Sequence, residues 1–145
     1  MKKVSRALVI LCLSLVIGCR SKQTSEVGGT GDEPLATLTR LYVASMNANG
    51  GRAPANEAEF KKFVAASGDR ELQAAGVSSV DELFVSPRDN QPYVIPYGSD
   101  AVRLIGRGVV AYERTGKDGH RFVGYRLGFV NEIDDAEFRS LVPSP

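Results

Sequence analysis

Apolar residues along the chain fall into successive patterns, and each predicts a different structure. Ala7 to Ile17 is apolar apart from Ser14, a run with no period. Arg20 to Glu33 is the reverse: polar, rich in Gly, Ser and Thr, with Val27 as its only apolar residue. From Pro34 a helical spacing takes over. Leu35, Leu38, Leu41, Tyr42, Ser45 and Met46 follow at intervals of three and four, which lays one mostly apolar stripe along a helix. From Pro87 onward the runs shorten, become rich in β-branched and aromatic residues, and are bounded by Gly and Pro.

Local chemistry marks where the helices begin and end. Pro34 suits a first helical turn, and Asp32 and Glu33 favour its positive end. Asn47-Ala48-Asn49-Gly50-Gly51 stops that helix. Asn56 opens a second one by accepting from the N–H near Glu59, with Glu59 reaching back, and Phe60, Phe63 and Val64 form its apolar edge. Ser67-Gly68 turns into a short helix from Asp69, with Leu72 buried and Gly76 ending it. Ser79-Val80-Asp81-Glu82 is a capping box for one more turn, Val80 to Val85, which Pro87 closes.

The second half predicts strands. Pro87-Arg88-Asp89-Asn90 is turn chemistry, and Tyr93-Val94-Ile95, flanked by Pro92 and Pro96, suits an edge or a short irregular strand. Val102-Arg103-Leu104-Ile105 is a second candidate and Val109 to Glu113 a third. Gly116-Lys117-Asp118-Gly119 turns the chain so that Arg121 to Leu127 returns as a hairpin partner. Phe129 to Ile133 either extends that strand or pairs beyond a bend at Gly128. Asp134 with Glu137 caps a final short helix through Leu141, ended by Pro143. Helices first and strands after, without βαβ alternation, mean an α+β fold. Its N-terminal and short helices pack on a three- to four-stranded antiparallel meander, with a short C-terminal helix. One sheet face is expected against the helix and the other wet. Tyr93, Tyr97, Tyr112, Phe122 and Tyr125 share the sheet, interleaved with Arg88, Arg103, Arg107, Arg114, Arg121 and Arg126. The exposed edge of the meander is open to strand addition by a partner.

The first run acquires meaning from its flanks. Met1-Lys2-Lys3-Val4-Ser5-Arg6 is basic, Ala7 to Ile17 is apolar, and Gly18 is small, the layout of a secretory signal. The run is shorter than the roughly 20 residues of a comfortable membrane span. Val16-Ile17-Gly18-Cys19 resembles a bacterial lipobox. That resemblance implies a diacylglycerol on the Cys19 thiol, cleavage after Gly18 and acylation of the new amine. Several acyl chains together give stable anchoring where one does not. The chain then divides into a signal over 1–18, a flexible tether over 19–33 and one α+β domain over 34–145. The lipidated position is followed by Arg20, not by the Asp that favours inner-membrane retention in enteric bacteria. The expected location is the cell envelope, on the periplasmic face of the outer membrane, with the inner membrane and the cell surface as alternatives.

Charge and cysteine count narrow the field further. Losing residues 1–18 takes Lys2, Lys3 and Arg6 from the 18 basic residues and none from the 17 acidic ones. The remainder holds 15 against 17, a side-chain charge of −2. Composition therefore gives no reason to expect a nucleic-acid partner. Cys12 and Cys19 are the only cysteines, so the domain has no disulfide and depends on its core.

Motifs that carry chemistry are scarce. His120, beside the hairpin turn, is the single histidine, and no Gly-x-Ser-x-Gly, phosphate loop or dinucleotide loop is present. Asp134, Asp135 and Glu137 sit where a cap needs them, and Asp89 and Asp118 sit in turns, so no catalytic residue, metal site or cofactor is expected. Two resemblances concern the soluble part. Gly50-Gly51-Arg52-Ala53-Pro54 after the striped helix and Asp89-Asn90-Gln91-Pro92-Tyr93 before the meander are similar to the globular half of type II secretion pseudopilins. Asp81 to Asp89 and Phe122 to Leu141 resemble small planctomycete lipoproteins of unknown function. The expectation is a lipid-anchored envelope protein of non-enzymatic interaction or structural role, with the membrane and an envelope protein as partners. The alternatives are an accessory to a pilin-like secretion system and an envelope hydrolase that would need His120 beside a carboxylate.

Overall fold

Helix α1, Glu33–Ala48, is the element around which the others pack. The computed structural model describes residues 33–142; the expected signal, the expected tether up to residue 32 with Cys19, and Pro143 lie outside that range, while Glu33, read as the end of the tether, is the first residue of α1. Leu35, Leu38, Leu41, Tyr42, Ser45 and Met46 are all buried, as their spacing predicts. Thr37 and Thr39 are fully buried as well, because the short helices cover one side of α1 and the sheet another. Gly50 and Gly51 end the helix at positive φ, with the Gly51 N–H returning to the Met46 carbonyl at 2.7 Å.

The caps form where the sequence places them. Helix α2, Glu57–Ser67, starts at Asn56, whose side chain accepts the Glu59 N–H at 2.9 Å; the Glu59 carboxylate reaches back one residue further, to the Ala55 N–H. Helix α3, Asp69–Ala74, buries no residue completely: Leu72 is half-buried and the buried position is Ala75, just past its end. Helix α4, Val80–Leu83, is shorter than its capping box suggests, because the Phe84 and Val85 N–H groups already bond back to Asp81 and Glu82. Phe60 joins these helices to α1, meeting Tyr42 and Phe84 edge-on at ring distances of 5.3 and 5.5 Å. The Tyr42 hydroxyl donates to the Pro96 carbonyl at 2.6 Å, and burial holds its pKa well above the usual phenol value.

Strands β1, Val109–Tyr112, β2, His120–Tyr125, and β3, Val130–Asp134, form an antiparallel sheet in sequential order, so the fold is α+β with a meander. Asp118 and Gly119, both at positive φ, make the two-residue turn joining β1 to β2. Phe129 to Asp134 comes back beside β2 after Gly128 and does not prolong it. Tyr93–Ile95 contributes a single bridge, Val94 to Tyr112, on the outer side of β1.

Two expectations are corrected. Val102–Ile105 is not a strand but most of helix α5, Ala101–Ile105. Ala101 and Leu104, three apart, are its buried residues, and that spacing prevails over the β preference of Val102 and Ile105. Nor is the second sheet face wet. Leu104, Val109, Val123, Ile133 and Phe138 form a separate apolar cluster there, under helix α6, Asp135–Leu141. A register shift between Val109 and Ala111 lets Val109 join this cluster while Val110 and Ala111 face α1. Opposite Thr39, β2 carries Gly124; a Cβ there would collide with the threonine hydroxyl, so helix and sheet meet backbone to side chain.

Candidate functional site

The residues with chemistry to offer gather at two places at opposite ends of the hairpin. The first is the docking point of the Ser86-Pro87-Arg88-Asp89 turn. Glu113, one residue past β1, is fully buried, which an acidic residue tolerates only with partners. Its Oε1 accepts the Ser86 hydroxyl at 2.9 Å and its Oε2 accepts the Phe122 N–H at 2.8 Å. The side chain thus completes a ladder in which the Glu113 N–H donates to the Phe122 carbonyl.

Arg88 lies over this row. Its guanidinium sits 4.5 Å from the Phe122 ring centre, with Glu132 at 2.6 Å on one side and Glu113 at 3.9 Å on the other. It also donates to the carbonyls of Lys117 and His120 at 3.2 and 3.1 Å. Asp89 finishes the clasp by accepting the N–H groups of Gln91, Thr115 and Gly116. Burial raises the Asp89 pKa, but these N–H groups outweigh it, Gly116 first, and the carboxyl sits below its ordinary value. Apart from Arg88 Nε, which is buried without a hydrogen-bond partner among the described residues, the polar groups here bond to the fold itself, so the clasp acts as a fastening.

The other residues named from sequence are placed as follows. His120 is exposed, and its Nδ1 lies 3.0 Å from the Asp118 carbonyl. Its cross-strand neighbour Asp134 uses one carboxylate oxygen on the N–H groups of Ala136 and Glu137, each at 2.8 Å. Those N–H groups, Glu137 foremost, lower the Asp134 pKa. Asp135 pairs with Arg121 at 3.2 Å, and Arg121 covers the Phe138 ring at 4.4 Å. The five aromatics do not share a sheet face: Tyr93 and Phe122 belong to the α1 core with Tyr97 against it, while Tyr112 and Tyr125 pack on the second cluster. Among the described residues no three His, Cys, Asp or Glu side chains gather as metal ligands. No helix of the described residues is long and apolar enough to cross a membrane.

The second place is a groove of about 660 Å³ that no sequence pattern announces. It runs between the loop after α1, the Gly98 turn and α5. Arg52, Ala53, Ala55, Ala101, Val102, Ile105 and Arg126 line it, with glycines and Asn49. Its size is that of an ordinary ligand cleft, in the range of roughly 300–1,000 Å³. The lining offers apolar surface and two guanidinium groups, and its residues include no carboxylate, imidazole or hydroxyl side chain. Arg52 donates to the Asn49 carbonyl at 3.4 Å, and neither Arg52 nor Arg126 forms an ion pair with a described residue. Three segments distant in sequence build the groove, and one of them, α5, is misread as a strand from sequence. Comparisons with family models, curated proteins and solved structures find no match to the chain.

Proposed function

We propose that the chain is a lipid-anchored cell-envelope protein whose role is interaction or structure, not catalysis, held to its membrane by acyl chains on Cys19. The observation that carries this reading is the order of a basic start, an apolar run and Val16-Ile17-Gly18-Cys19. Cys19 is left with no disulfide partner in the domain, because Cys12 precedes the expected cut.

The geometry of the domain supports a binding role in two ways. Its most elaborate polar cluster, around Arg88 and Glu113, is consumed in holding a turn to a hairpin. Its groove brings together apolar surface and cations without a nucleophile and base. His120 and Asp134 are neighbours, yet both are exposed and the carboxylate is engaged as a helix cap.

Fractionation of cells expressing the wild type and Cys19→Ala tests the anchor. The wild type should pellet with membranes and dissolve only in detergent, carrying acyl mass on the Cys19 peptide. Cys19→Ala should lose that mass and its detergent-dependent fractionation. An unchanged distribution with no acyl mass on the wild type would sink the reading.

A further inference from the structure

We propose that the end of the domain around Arg126 is a membrane-contact face that binds the anionic headgroups of a phospholipid bilayer. The proposal rests on the anchored reading only for the nearness of a bilayer; its evidence is separate.

The large apolar side chains exposed among the described residues are Val102, Leu127 and Phe129, at 72, 87 and 37%. All three belong to this end. Val102 lines the groove, Leu127 follows Arg126 in the turn between β2 and β3, and Phe129 stacks on Tyr125 at 4.8 Å. The Arg126 N–H bonds to the Gly108 carbonyl at 2.7 Å, which ties that turn to the end of α5. Isolated exposed hydrophobics are ordinary, but their confinement to one end marks an interaction surface.

Charge is segregated in the same direction. Residues 49–55, 98–108 and 126–129 hold four arginines, at 52, 103, 107 and 126, and one acidic residue, Asp100; Arg52 and Arg126 line the groove, while Arg107 donates to the Ser140 carbonyl at 2.8 Å. The other described residues hold nine basic and fourteen acidic side chains. A cationic end on an otherwise acidic domain selects an anionic partner, and a guanidinium pairs well with phosphate oxygens.

The form of the surface favours a bilayer over a protein. Leu127 projects from a turn and Val102 from a five-residue helix, and Val102 lines the groove together with Arg126, the residue before Leu127. A rigid protein partner would gain little continuous area from projections spaced in this way. A fluid interface closes around each of them while its phosphates meet the arginines, the arrangement of interfacial membrane anchors.

Reach is sufficient. The thirteen residues from Arg20 to Asp32 span at most about 45 Å when extended. The groove lies at the far end of α1, whose 16 residues extend about 24 Å from Glu33. Anchor and face can therefore meet the same bilayer.

The test places an environment-sensitive fluorophore on Leu127→Cys in the full-length acylated protein, reconstituted in vesicles of phosphatidylcholine alone or with phosphatidylglycerol. The expected result is a blue shift and quenching by spin-labelled lipid only where phosphatidylglycerol is present. Arg52→Gln with Arg126→Gln should remove both, and the same probe at exposed Lys62→Cys on α2 should stay in water throughout. If Cys19 proves not to be acylated, the purified chain is added to preformed vesicles instead. The double substitution should then weaken partition onto anionic vesicles by about 30-fold, as expected for two surface cations. A Leu127 probe that reads as water-exposed in both compositions overturns the proposal. So does one that shifts only when other envelope proteins are added, which would identify a protein partner.

Discussion

Replacing Glu113 with alanine isolates what the clasp contributes. The substitution leaves the Phe122 N–H without its 2.8 Å acceptor and the Ser86 hydroxyl without its 2.9 Å acceptor. A buried donor left unsatisfied costs about 1–3 kcal/mol. Ser86 can partly recover, because its hydroxyl can rotate and its oxygen still accepts the Arg88 N–H. Arg88 is not orphaned either: Glu132 remains at 2.6 Å, with two carbonyls in reach. The total is therefore about 3–4 kcal/mol, at the low end for a broken buried pair. Against a typical domain stability of about 5–15 kcal/mol, that is a large fraction. With a urea m-value of about 1.5 kcal/mol/M, the midpoint should fall by about 2 M. Glu113→Gln discriminates the cause. Its amide oxygen can take the Phe122 N–H while its NH₂ faces Ser86, so the cost should drop to about 1–2 kcal/mol. A midpoint shift below about 0.5 M for Glu113→Ala would refute the reasoning. Equal losses for Ala and Gln would show that the charge on Arg88, and not the stranded donors, dominates.

Three further outcomes follow from other contacts. Asp134→Ala removes the two-bond cap of α6 and should lower the midpoint of chemical denaturation, with Asp134→Asn and Asp134→Ser recovering most of the loss. Asp89 has a folded-state pKa depressed by its three N–H partners, so its stabilising contribution is full above the ordinary aspartate pKa and is lost as pH falls through the folded value. Asp89→Asn should therefore flatten the acid limb of stability against pH below the ordinary aspartate pKa of about 4, and an unchanged limb would contradict the assigned bonds. Gly124→Ala should destabilise by about 1–3 kcal/mol through its collision with Thr39, and Thr39→Ala in the same chain should restore most of the loss; additive losses would mean that helix and sheet do not meet there.

The sequence discloses what is determined within a few residues. Asn56, Ser79 and Asp134 cap helices because a side chain and an N–H three residues on need no distant partner. Asp118-Gly119 turns the hairpin for the same local reason, and the α1 stripe repeats often enough to define a face. What fails is whatever depends on remote contacts. The burial of Thr39 is explained by Gly124, on the strand it packs against. Burial of Glu113 makes sense only with Ser86 and Arg88, more than twenty residues earlier. Val102–Ile105 reads as β by composition, but α5 is decided by what Ala101 and Leu104 bury against. The groove inherits that error and draws on three separate segments, so its apolar lining has no signature along the chain.

The clasp and the groove also divide the sheet into a fastened end and a loose one. The Phe122 amide donates to the buried Glu113 carboxylate, so its exchange with solvent should require opening close to global unfolding, while the Thr115 and Gly116 amides donate to Asp89 nearer the surface. At the other end, the turn from Arg126 to Gly128 is held by three backbone bonds and, among the described residues, no side-chain clasp, with Leu127 in solvent. Exchange there should be faster by orders of magnitude. Fluctuations of the Arg126 turn are therefore decoupled from the hairpin tip, and the domain can reshape one surface while the rest of its sheet keeps its register.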